Sequence, residues 1–246
     1  MEKIQEQYWK IEQEFLEYSD LKDIKINDNW ENFVVVPELE NLWAEYFKDD
    51  MKQYFDWKII IRKTVWEKLE NIAKFLEKNN KNLKLIITYW YRTLEIQTKY
   101  FNNRLNKVIE ENPEITNKEQ LIEIAHRWVA FPEVAGHPTG WAVDVTLYDL
   151  EKQEFLDFWT EPWDYSTKKC YLKSTEITDK QKENRIFLQK IMIKESFSPY
   201  LWEWWHFSYW DIENTVFDNK TEAIYWAVLV DDVVIETKNK IFKIKE

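Results

Sequence analysis

Glycine is nearly missing from this chain. The 246 residues contain two, where average usage of about 7% predicts roughly 17. Both fall in the window Gly136-His137-Pro138-Thr139-Gly140, which also holds one of the three histidines. Glycine serves where a backbone takes positive φ or where another group approaches it closely. Its confinement to a histidine-bearing stretch marks a shaped polar site, with a surface hairpin as the plain alternative. Cysteine is scarcer still: Cys170 alone excludes an internal disulfide and any multi-thiolate zinc knuckle, so a metal here is held by His, Asp and Glu. No run approaches the roughly 18 consecutive apolar residues of a membrane span, and Met1 to Tyr8 lack an apolar signal core, which reads as soluble and cytoplasmic. A surplus of positive charge is also lacking. With a formal charge of −11 the chain offers no concentrated basic face, which disfavours nucleic acid as a partner.

Aromatic residues are what the chain has in excess, tryptophan above all, with 15 copies. The hydrophobic share of 45% is enough to bury a core in one domain. Residues 1 to about 20 are charged and weakly amphipathic, and Phe33 to Val36 form a short β-like run stopped by Pro37. From Ile61 to Lys78 the apolar residues Val65, Leu69, Ile72, Phe75 and Leu76 recur at helical spacing. Leu83 to Tyr89 reads as a strand that delivers Arg92 just beyond its end. Helices are expected from about Leu94 to Glu111, from a capping box at Thr116-Asn117-Lys118-Glu119 to about Arg127, and from Thr178 to about Glu195. Trp141 to Tyr148 alternates as a strand, with Asp144 opposite its apolar face. Residues 149 to 174 form a long connection of the kind that serves as a lid or binding loop. Glu203 to Tyr209 is an aromatic strand, and a closing hairpin is expected between Ile224–Val230 and Val233–Thr237 across Asp231-Asp232.

Two histidines stand at defined distances from acids, in H-x-x-G-x-A-x-D and E-W-W-H. A catalytic zinc takes three protein ligands and leaves one position open, and His137, Asp144 and His206 supply that number. A carboxylate beside the metal suits the base that takes a proton from water, which singles out Glu203. In a regular strand Glu203 and His206 point to opposite faces, so both serve one site only if the strand starts or twists near Trp204. Spacing alone leaves the matter open, because a histidine near an acid is more often a surface or satisfied core residue. His126, on a helical stretch, reads as packing or surface, and Arg92 by base rate as a surface cation.

These segments resemble the zinc-dependent D-alanyl-D-alanine dipeptidases of the vancomycin-resistance type, within the wider D-Ala-D-Ala metallopeptidase family. Val129 to Pro132 and Gly136 to Leu147 match the first metal motif, Glu203-Trp204-Trp205-His206-Phe207-Ser208-Tyr209 matches the second, and Tyr91-Arg92 matches the arginine motif. The similarity runs from about residue 55 to 230. It implies one Zn²⁺ per chain on His137, Asp144 and His206, with Glu203 as catalytic base and Arg92 stabilising the developing oxyanion. It also implies hydrolysis of D-alanyl-D-alanine or a related dipeptide in cell-wall metabolism. By its position in the loop after Leu147, Asp164 is a candidate for holding the dipeptide ammonium. The expected fold is a single α+β domain whose central antiparallel sheet carries the zinc site with helices packed on it. Residues 1–54 are expected as an N-terminal extension packing on a catalytic domain of 55–246.

Alternatives are a D,D-carboxypeptidase acting on peptidoglycan stem peptides and a catalytically silent zinc-binding module; an intact Glu203 and Arg92 argue against the silent one. Ala135 stands where the family usually has serine, and Thr93 where it has proline, which bears on selectivity rather than on ligands. Trp90, Trp141, Trp159, Trp210 and Trp226 occupy places where the family shows glycine. This suggests that the source reads UGA as glycine where the present translation writes tryptophan. Trp204 and Trp205 are different, since the family's own motif carries tryptophan there.

Overall fold

The N-terminal half alternates short strands with two long helices because its apolar residues switch between periods of two and 3.6. The computed structural model describes residues 17–37, 39–55, 58–164, 167–200, 202–237 and 240–243. The amphipathic stretch expected over residues 1 to about 20 therefore lies mostly outside the described residues. A one-turn helix α1 (Tyr18–Leu21) leads to β1 (Lys25–Ile26), β2 (Phe33–Val35), β3 (Leu42–Ala44) and β4 (Ile60–Arg62). Helix α2 (Lys63–Asn79) and strand β5 (Leu83–Tyr89) follow, then α3 (Leu94–Glu111) and α4 (Lys118–His126). Strands β6 (Ala142–Asp149) and β7 (Glu154–Phe155) precede α5 (Asp179–Lys194), β8 (Ser198–Tyr200) and β9 (Glu203–Ser208). Helix α6 (Ile212–Phe217) and strands β10 (Glu222–Ala223), β11 (Val234–Thr237) and β12 (Lys240–Lys243) complete the order.

The principal sheet runs β3-β5-β6-β9-β8, with β7 added on β6. Its β5-β6-β9-β8 portion is antiparallel, as expected, but β3 joins β5 in parallel. A second sheet, β12-β11-β2-β4, is also mixed, because β2 lies parallel to β11. The α+β class holds, while the sheet is mixed rather than purely antiparallel. The reason is sequence order: β2 and β3 come from the first 54 residues and reach their partners by long crossovers, which permit parallel pairing.

Helix α2 starts beside β2 and buries Val65, Leu69, Ile72, Ala73 and Leu76 against the sheet. Those residues sit three or four apart, so one stripe faces the core. Helix α3 spans Leu94 to Glu111, as its periodicity predicts, and Thr93 caps it by accepting from the Ile96 amide. Thr93, the departure from the family proline, thus has a local role. Helix α4 is capped by Asn117 rather than by the expected Thr116 box, since the Asn117 side chain accepts from the amides of Glu119 and Gln120. Thr178 and Gln181 form a reciprocal capping box on α5.

The expected C-terminal hairpin does not form. Val230–Asp232 is a single 3₁₀ turn, and β11 pairs with β12 instead. Residues before the turn are drawn elsewhere: the Val228 amide donates to Pro138 O, and Tyr225 stacks on Trp141. Asp-Asp supplies neither of the positive φ angles a tight hairpin needs.

The long connection after β6 is fastened by one buried cation. Arg185 on α5 is 1% exposed and donates to the carbonyls of Phe158, Lys169 and Tyr171. Burial lowers its pKa to about 10, which leaves it charged at neutral pH. Charge-assisted bonds to carbonyls that have left water are costly to lose. Arg185→Leu is expected to lower unfolding free energy by about 3 kcal/mol. Urea denaturation of both proteins checks this, and a change below about 1 kcal/mol would show that the loop does not depend on it.

Candidate metal and catalytic site

Strand pairing creates the site. Asp144 on β6 and His206 on β9 are direct partners across the antiparallel ladder, and Tyr89 on β5 partners Asp144 from the other side. Side chains of such partners sit close on one face of the sheet, so residues 62 apart in sequence meet. His206 Nδ1 lies 3.0 Å from Asp144 Oδ1. His137 arrives from the 3₁₀ turn His137–Thr139, with its Nε2 3.4 Å from the same oxygen.

Both glycines are needed to shape that turn. Gly140 has φ +78°, and a Cβ there would lie 2.5 Å from the Phe33 ring. A Cβ on Gly136 would lie 2.5 Å from Asp211 Oδ2 and 2.9 Å from Ala142 Cβ. The polar window read from the sequence is thus a buried bend, not a surface hairpin.

The donor set suits a metal. His137 Nδ1 lies 2.6 Å from the Trp90 carbonyl. A carbonyl only accepts, so Nδ1 carries the proton and Nε2 turns its lone pair toward Asp144. A lone pair facing a buried carboxylate calls for a cation or proton between them. The ligand atoms of His137, Asp144 and His206 all lie within 4.8 Å of one another, and all three residues are buried. Three His/carboxylate donors with room for a fourth position are the pattern of a catalytic zinc.

Electrostatics divide the titrating groups. Burial alone raises Asp144, but His137 and His206 more than offset that and hold its carboxyl well below the usual range. Desolvation lowers His137 to about 4 against the pull of Asp144. It also opposes the charged form of His206, yet the hydrogen bond and charge of Asp144, with Glu203 and Glu213, raise that imidazole to about 9. Glu203 is raised to about 7 by burial, and the cations His206, Arg92 and Lys48 limit the rise.

Glu203 Oε2 lies 4.0 Å from His206 Nδ1, so the two do share a site. The register between β8 and β9 slips at this point, pairing Pro199 with Phe207 but Tyr200 with Glu203. That irregularity supplies the twist that a regular strand would have denied. Arg92 is 7% exposed; its Nη1 donates to Gln97 Oε1 and its Nε to the Tyr89 hydroxyl. It lines a cleft of about 360 Å³ together with His137, Glu203 and His206.

Asp164 is not among the described residues lining this cleft. Its amide closes a turn back to Glu161 O. His126 lines the cleft while its Nδ1 accepts from the Phe131 amide, which makes it a structural acceptor. Lys48 is a cleft residue that the sequence did not reveal. Its ammonium lies 5.2 Å from the Tyr100 ring centroid, 5.3 Å from Trp163 and 6.0 Å from Tyr89. Among the described residues no carboxylate comes within ion-pair distance of it. No local spacing marks Lys48, because it sits in the ordinary charged stretch Lys48-Asp49-Asp50.

Residues 38–223 match the family model described as D-ala-D-ala dipeptidase, which covers most of the chain. The chain belongs to the D-ala-D-ala dipeptidase family. Family membership and the His/Asp/His donor set together make zinc the resident metal of this peptidase. A curated D-alanyl-D-alanine dipeptidase from Enterococcus faecalis is 30% identical over 73 residues, which is 30% of this chain and 36% of that protein. Solved structures include the LdcB LD-carboxypeptidase, at 20% identity and TM-score 0.42, covering 78% of this chain and 75% of that one. VanYB in complex with D-alanine-D-alanine has 18% identity and TM-score 0.39, covering 75% and 87%. No helix among the described residues of this family member is long and apolar enough to cross a membrane.

Proposed function

We propose that this chain hydrolyses D-alanyl-D-alanine or a closely related dipeptide in cell-wall metabolism. The observation that carries the reading is that Glu203 and Arg92 line one cleft with His137 and His206, whose ring nitrogens gather with Asp144 as a possible metal-ligand set. A structural metal site needs neither a spare carboxylate nor a buried guanidinium. Zinc on the three ligands supplies Lewis-acid polarisation of the scissile carbonyl and makes water a better nucleophile. Glu203 takes the proton from the attacking water and delivers it to the leaving amine. Arg92 places positive charge where the carbonyl oxygen becomes negative, so it contributes most in the transition state. In this reading the segment 55–246 carries the proposed metal ligands, Glu203 and Arg92, and Lys48 reaches the cleft from the segment before it.

Lys48 receives the substrate's terminal carboxylate. Its ammonium faces the cleft, held by aromatic rings and without a carboxylate within ion-pair distance among the described residues, and Ala135 in the same cleft offers no hydroxyl for that task. Lys48→Met is expected to raise KM for D-alanyl-D-alanine by about tenfold to a hundredfold while changing kcat less, with Lys48→Arg recovering part of the loss. Initial-rate kinetics decide this; an unchanged KM removes Lys48 from recognition.

The test of the function is a comparison of D-alanyl-D-alanine with a stem pentapeptide ending in the same two residues. Faster release of D-alanine from the free dipeptide, judged by kcat/KM, supports the dipeptidase. Preference for the pentapeptide would assign the chain to D,D-carboxypeptidases instead.

A further inference from the structure

Tryptophan occupies backbone positions that belong to glycine. Of the seven non-glycine residues with positive φ among the described residues, four are tryptophan: Trp30 at 56°, Trp159 at 81°, Trp163 at 69° and Trp210 at 54°. Positive φ is uncommon outside glycine, asparagine and aspartate, and for a bulky side chain it is a genuine outlier. One such residue is explained by local strain; four of one type, in a chain with two glycines, have a common cause.

The surrounding hydrogen bonds show that the left-handed geometry is imposed locally. Asp28 Oδ1 accepts from the Trp30 amide at 2.7 Å, and Asp157 Oδ1 accepts from the Trp159 amide at 2.8 Å. These are the same Asx-turn twice, an aspartate clasping the amide two residues on. Glu161-Pro162-Trp163-Asp164 is a four-residue turn closed by the Asp164 amide on Glu161 O at 3.2 Å. Proline at its second position and φ +69° at its third define a type II turn, whose third residue is ordinarily glycine. At Trp210 the amide is held by Asn214 Oδ1 at 2.8 Å. At two of the four the side chain does not repay the conformation by packing: Trp30 is 83% exposed and Trp159 49% exposed, an unusual place for large apolar groups, whereas Trp163 and Trp210 are partly buried against the core.

We infer that Trp30, Trp159, Trp163 and Trp210 are glycine in the protein made by its own cells, each encoded by a UGA codon that those cells read as glycine. Trp159 and Trp210 are also places where the family resemblance expects glycine. Trp30 and Trp163 are added by the backbone alone. Trp90, Trp141 and Trp226, the other positions the resemblance pointed to, do not have positive φ, and the geometric argument does not extend to them. Trp204 is set apart by its fit, with its indole stacked on Phe158 at 4.1 Å and its N–H donating to Thr160 Oγ1 at 2.8 Å.

The change matters most at residue 163. There the indole N–H donates to Asp144 Oδ2 at 2.7 Å, and the ring stands beside Lys48. Glycine at 163 frees the second oxygen of the Asp144 carboxylate and opens space beside Lys48. Tyr89 and Tyr100 remain to hold Lys48.

The codons and the protein's mass give the direct test. UGA at all four positions, and peptides from the source cells lighter at each by the difference between a tryptophan and a glycine residue, are expected. UGG codons there, or tryptophan-mass peptides, overturn the inference. A second measurement checks the geometry without the gene: Trp30→Gly against Trp30→Ala, and Trp159→Gly against Trp159→Ala, compared by thermal melting of the full chain. In ordinary backbone alanine is the more stabilising of the two, but at positive φ the order inverts. Glycine variants are expected to melt higher than their alanine counterparts by a few degrees, roughly 2–5 °C. A higher midpoint for alanine at both positions shows backbone that is not left-handed and overturns the argument.

Discussion

Glu203→Gln is expected to keep its zinc and lose turnover by about 10³-fold, within the range of 10² to 10⁴ that a positioned general base contributes. That loss corresponds to roughly 4 kcal/mol of transition-state stabilisation. Glutamine preserves the size and much of the hydrogen bonding of Glu203 while removing its ability to take a proton. The proposed metal ligands are His137, Asp144 and His206, so metal content should be unchanged. Steady-state kinetics with zinc analysis of the same sample separate the two effects, and turnover within tenfold of the parent would remove Glu203 from the mechanism.

The same variant has an opposite effect on the metal-free fold. Burial raises the Glu203 pKa from 4.5 to about 7, so folding favours its protonated form. Its contribution is fully present below the unfolded value of 4.5 and is lost as pH rises through about 7. Zinc-free Glu203→Gln should therefore gain stability over the zinc-free parent across that interval, by about 2–3 kcal/mol above neutrality. Denaturant titrations at pH 5 and pH 8 test the sign. A gap that narrows at the higher pH would contradict it.

Removing a proposed metal ligand should have the second large effect. Asp144 is 1% exposed and touches both histidines. Asp144→Asn keeps its shape but loses the charge that offsets the cation's. Zinc at a hundred times its dissociation constant stabilises the folded state by about 2.7 kcal/mol, equivalent to roughly 5–10 °C for a chain of this size. The parent should show that rise on addition of Zn²⁺ after chelation, and Asp144→Asn should lose most of it along with activity. An equal rise in both proteins would place the metal elsewhere.

The motifs named the candidate residues, and the paired strands show how they come together. The sequence offered His137, Asp144, Glu203 and His206 as four residues of suitable chemistry, but their meeting depends on the β6–β9 register and on the slip at Tyr200. Neither is encoded in spacing along one strand. Helices α2, α3 and α5 were readable because each carries its own stripe or cap. The parallel placement of β2 and β3 was not, since it depends on partners far away in the chain. The hairpin around Asp231 failed for a related reason: Val228 and Tyr225 find partners near Trp141 that a local reading does not include. Lys48 was invisible because a cation in a charged stretch looks solvated until the fold turns it into a cleft. Asp164 was the converse, a carboxylate in a promising loop that the described structure leaves outside the cleft lining.

Release of D-alanine from D-alanyl-D-alanine tests the central claim most directly. The protein purified from its own cells is assayed as isolated, after zinc is stripped by a chelator, and after one equivalent of Zn²⁺ is returned. The account predicts turnover, its loss, and its recovery with one zinc per chain. Turnover that persists without metal, or no turnover in the zinc-loaded protein, would contradict it.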